Sequence, residues 1–101
     1  MKYVIAIVSP QDLEHILDSL KNIRIDHVMV STGIDAGLRT GSTEVYRDHV
    51  EIKDRTECVK IELAVNDDAL NDVLALLKKT KEDSYQDRRI FVFNLTNFIQ
   101  M

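Results

Sequence analysis

A chain of 101 residues, 45% hydrophobic and 30% charged, can fill one modest core and is expected to be a single domain, residues 1–101. Its net charge of −4 argues against nonspecific nucleic-acid binding, which depends on clustered Lys and Arg. A lone cysteine, Cys58, excludes an internal disulfide, and MKYVIAIVSP is too short and β-branched for a signal peptide. No apolar run nears the 18 or so residues of a membrane span. A cytoplasmic location is the expectation.

Tyr3 to Val8 is a continuous apolar run, as in a strand covered on both faces or central in a sheet. Ser9 and Pro10 then suit the N-cap and first position of a helix, with Asp12 placed to complete a capping box. Leu13, Ile16, Leu17, Leu20 and Ile23 form its apolar stripe. Ile25 to Ser31 returns to strand character. Cys58 to Val65 alternates, with Val59, Ile61, Leu63 and Val65 on one face and Lys60, Glu62 and Ala64 on the other. Asn66 is placed to cap a second helix, with Asp67 and Asp68 in its first turn and Leu70, Val73, Leu74 and Leu77 along its stripe. Ile90 to Phe93 reads as the last strand.

This β-α-β-β-α-β order predicts an α+β, ferredoxin-like fold, an antiparallel sheet with two helices on one face. Apolar residues such as Ile5, Ile7, Val28 and Val30, or their alternates, are then expected on the uncovered face. Between the second and third strands the stretch GLRTGSTEVYRDHVEIKDRTEC shows neither helical nor strand periodicity, and Gly33, Gly37 and Gly41 mark expected bends. Structureless loops longer than about 12–15 residues are uncommon in compact domains and usually functional.

GSTEVYR with its preceding glycines, then VKIELAV, an acidic helix start and IFVF, in that order, resemble the PII signal-transduction proteins over nearly the whole chain. The resemblance implies a homotrimer with ATP or ADP, with or without Mg²⁺, in clefts between subunits, and no enzymatic activity. It implies a T-loop at about 37–57 that regulates a partner protein, a membrane transporter component. Carried over residue by residue, it puts Ile7, Gly37, Leu38, Arg39, Gly41, Glu62, Ala64, Asp87, Arg88 and Arg89 at the nucleotide cleft. Thr43, Glu44, Tyr46, Arg47 and Glu51 fall in the partner-binding loop.

The departures are specific. The glycine-rich turn that precedes the last strand in the family, where backbone N–H groups cradle phosphate, reads EDSYQDRR, without glycine. Gln100 stands for one of two C-terminal arginines, and the chain ends before the other. Arg39 and Cys58 replace the glutamine and lysine tied to 2-oxoglutarate and Mg²⁺, and Glu51 replaces a modifiable tyrosine. The alternative is a trimer like the CutA group, structural or metal-responsive, without nucleotide.

Read as residues alone, Arg88 and Arg89 are either phosphate ligands, since guanidinium pairs bidentately with phosphate, or solvated partners of Asp83 and Asp87. Lys60 suits a surface salt bridge with Glu62 or a neighbouring strand. His15, His27 and His49 lack metal-ligand spacing, and Cys58 suits a small buried position. No nucleophile–base pairing, P-loop or dinucleotide fingerprint is present.

Overall fold

The computed structural model describes residues 1–40, 50–79 and 89–101, and only the backbone of 38–40 and 50–54. The chain runs through β1 (Lys2–Val8), a 3-10 turn (Pro10–Asp12), α1 (Leu13–Asn22), β2 (Met29–Thr40) and β3 (Val50–Val65). A second 3-10 turn (Asp67–Ala69), α2 (Leu70–Lys78) and β4 (Arg89–Asn94) complete it. The sheet order is β2-β3-β1-β4, with every neighbouring pair antiparallel. This is the expected ferredoxin-like arrangement.

Side-chain alternation along the two inner strands decides where the core sits. Val4, Ala6 and Val8 of β1 lie opposite Leu63, Ile61 and Val59 of β3. All six, with Val65, are at most 3% exposed and join Ile16 and Leu20 of α1 and Val73 and Leu77 of α2 in one cluster. Each large member contributes about 1.5–3 kcal/mol through burial. The helices therefore close one face of the sheet.

The helix boundaries differ from expectation in instructive ways. Ser9 Oγ accepts from the Gln11 backbone N–H at 3.3 Å rather than from Asp12, whose side chain makes no cap bond. The capping box is not formed because the first turn is 3-10, which is wound more tightly than an α-turn. Asn66 likewise makes no side-chain cap bond, and Asp67 instead pairs with the Met1 ammonium at 3.0 Å.

The end of α1 is closed by a Schellman motif. The Ile25 N–H reaches the Leu20 carbonyl and the Arg24 N–H the Lys21 carbonyl, both at 3.0 Å. Arg24 takes φ 72°, a left-handed conformation better suited to glycine.

Residues 37–40 and 50–57 correct the sequence reading. They are not structureless: β2 runs on to Thr40 and β3 starts at Val50, paired to Thr40↔Val50 with one irregularity between Gly37 and Leu38. At roughly 3.3 Å per residue, the 16-residue β3 spans about 50 Å, in keeping with a longest molecular dimension of 54 Å. Gly33 is no bend, since it sits in the ladder opposite Cys58, and no described glycine has positive φ. Cys58 is buried inside β3 rather than at a loop junction. β2 begins at Met29 rather than Ile25, because Ile25 is held by the Schellman turn.

Candidate functional site

The face of the sheet away from the helices is organised in three cross-strand rows. Phe93, Tyr3 and Ala64 form the first; Phe91, Ile5, Glu62 and Met29 the second; Arg89, Ile7, Lys60 and Ser31 the third. Its apolar members are incompletely covered, with Phe91 45%, Phe93 50% and Met29 63% exposed. Two residues expected here are elsewhere. Val30 lies opposite Ile61 and so faces the helix side, and Val28 precedes β2 and packs against the core.

Glu62 is held at the centre of this face from two sides. The Tyr3 phenol donates to Oε1 at 3.0 Å, and Lys60 Nζ lies 3.4 Å from Oε2. Tyr3 is raised above the ordinary phenol value by burial first, then by its hydrogen bond to Glu62 and by that carboxylate's charge. The Lys60–Glu62 pair matches the sequence reading, since both side chains share one strand face.

Arg89, the first residue of β4, is about half exposed, and the expected aspartates Asp83 and Asp87 lie outside the described residues. It donates to Asp35 Oδ2 of β2 at 2.8 Å. β2 and β4 are the two outer strands, so the contact bridges opposite edges across β3 and β1. Sequence reasoning missed Asp35 altogether.

The structure thus brings Ile7, Glu62, Ala64 and Arg89 onto one face. Gly37 lies at the irregularity on β2, and Leu38, Arg39 and Glu51 are placed by their backbone in the β2–β3 ladder. Gly41, Thr43, Glu44, Tyr46, Arg47, Asp87 and Arg88 lie outside the described residues. A pocket of about 790 Å³ sits at the other end of the sheet, lined by Met1, Ile25, His27, Ala64, Phe98 and Met101 among others. Of the expected residues it takes in only Ala64. Among the described residues, no three of His, Cys, Asp and Glu are gathered to hold a metal.

A family model described as nitrogen regulatory protein P-II matches residues 1–101, the whole chain. The chain belongs to the P-II family. Among P-II relatives, GlnK1 of Methanosarcina mazei is 33% identical, with 100% of this chain and 89% of that protein covered. P-II 1 of Escherichia coli K12 is 28% identical, over 100% and 91%. B. subtilis GlnK in complex with ATP is a similar solved structure, with a TM-score of 0.76, 27% identity, and 97% of this chain and 86% of that one covered. A second structure of B. subtilis GlnK gives a TM-score of 0.77 at 26% identity, over 97% of this chain and 87% of that one. As a P-II protein this chain is a signalling protein of ferredoxin-like fold, and none of its described helices is long and apolar enough to cross a membrane.

Proposed function

We propose that the protein is a non-enzymatic cytoplasmic sensor that binds an adenine nucleotide between subunits of a homotrimer. The segment joining β2 and β3 then regulates a partner, a membrane transporter component. The observation that carries this reading is the likeness, at 27% identity, to a P-II structure described as a complex with ATP. The open face supports it. Phe91, Phe93, Met29, Ile5 and Ile7 leave an apolar surface that a second copy would cover, and a half-site holding Arg89 and Glu62 fits a cleft completed by that copy.

In this reading Arg89 and the adjacent Arg88 meet phosphate, Glu62 and Ile7 line the cleft, and Gly37 to Gly41 couples the cleft to the loop. Thr43, Glu44, Tyr46, Arg47 and Glu51 meet the partner. Nucleotide switches the loop only to the extent that it binds one loop conformation better than another. A second reading, a trimer without nucleotide, draws on the Arg89–Asp35 pair and on the absence of glycine from the stretch EDSYQDRR.

Thermal unfolding with ATP, ADP and AMP, with and without Mg²⁺, separates the two. Ligand at 100 times Kd adds about 2.7 kcal/mol to the native state. A rise in melting temperature with ATP or ADP is expected; no shift with any adenine nucleotide favours the second reading.

A further inference from the structure

The two cations in the three rows of the open face are each engaged by a carboxylate: Lys60 by Glu62 at 3.4 Å and Arg89 by Asp35 at 2.8 Å. Among the described residues, the rows and Asp35 together carry two positive and two negative charges, so these groups by themselves offer an approaching anion no net attraction. Asp35 reaches Arg89 from a strand that is not a neighbour of β4. The pair is partly exposed, 47% at Arg89 and 24% at Asp35, so its guanidinium is readily exchanged between acceptors. Phosphate and carboxylate also compete for the same planar fork of donors.

We propose that Asp35 is a specificity-determining residue of the nucleotide site: it serves as an internal counter-ion that a ligand's phosphate must displace to reach Arg89. The proposal rests on the reading that Arg89 faces the phosphate end. Displacement leaves Asp35 facing the incoming anion, so the cost falls on every ligand that uses Arg89. A polyphosphate, with more negative charge than a monophosphate, competes better against the resident carboxylate. The site therefore discriminates by the charge at the phosphate end, in favour of nucleoside di- and triphosphates over the monophosphate.

The test is calorimetric titration of the full chain, its Asp35→Asn and Arg89→Gln variants and the double variant with ATP, AMP, adenosine and sodium tripolyphosphate. Asp35→Asn is expected to tighten ATP and tripolyphosphate by roughly threefold to tenfold, the scale of one exposed charge pair. Adenosine affinity stays unchanged, and the gain disappears when Arg89→Gln is added. If the wild type binds ATP and Asp35→Asn binds it no more tightly, the proposal is overturned while the nucleotide reading stands. If the wild type binds no adenine nucleotide, the nucleotide reading falls. The role of Asp35 then survives only if Asp35→Asn binds tripolyphosphate and the double variant does not; no binding by any form overturns both. Asp35→Ala gives the same comparison where the Asn variant fails to fold.

Discussion

The two faces of one sheet are built from the same strands and behave as two different materials. Toward the helices, Val4, Ala6, Ile61 and Leu63 are at most 3% exposed, and among the described residues Ser9 alone of the polar and charged ones is buried. Away from them, Ile5, Phe91 and Phe93 share the surface with Tyr3, Glu62, Lys60 and Arg89. The helix face has what it needs to fold within one chain. The open face mixes apolar area with paired charges, the composition of a surface that gains from a partner and a polar ligand.

The largest effect expected from perturbing this contrast is on the helix face. Ile61→Ala removes atoms from a site with 0% exposure and should cost about 2–5 kcal/mol, read by urea unfolding. The contrasting change on the open face, Phe91→Glu, should leave secondary structure intact but disrupt self-association, because it puts a second carboxylate in the row that holds Glu62, across Ile5 from it. Sedimentation velocity should then show a smaller species than the wild type. Equal losses of stability from the two substitutions would erase the distinction between the faces.

A smaller effect comes from the closure of α1. Arg24→Gly relieves a left-handed conformation, offset in part by the chain entropy glycine adds to the unfolded state, and should raise stability by up to about 1 kcal/mol. Thermal melts decide it, and a lower melting temperature would mean that the Arg24 side chain contributes more than its backbone costs.

The smallest is a pH effect. Burial and then Glu62 raise Tyr3 in the folded state, so the neutral phenol is favoured there. The associated stability is fully present below the unfolded phenol value, about 10, and is lost as pH rises through the folded one. Tyr3→Phe should therefore flatten the decline in stability above pH 10 relative to wild type, measured by melts across that range. An unchanged alkaline decline would assign it to other groups.

The order of elements was legible because it rests on local periodicity: alternation from Val59 to Val65 and stripes such as Ile16–Leu20 and Val73–Leu77 repeat the fold's own geometry. The extension of β2 and β3 was not legible. Beyond Gly37 and Asp54 the ladder runs on backbone hydrogen bonds, which carry no side-chain code, while the glycines and mixed charges there resemble a loop. At the site, Lys60–Glu62 was legible because alternate residues of a strand share a face. Arg89–Asp35 was not, since its members are 54 residues apart and meet only after the sheet forms. Asn66 and Asp12 had the right identity for caps, but the 3-10 turns set a geometry that residue type alone does not reveal.

Native mass spectrometry of the full chain with ATP tests most directly whether the open face is both the assembly surface and one wall of a nucleotide site. A species of three times 11.6 kDa carrying bound ATP is the expected result. A monomer at micromolar concentration, or a trimer that never retains nucleotide, would contradict it.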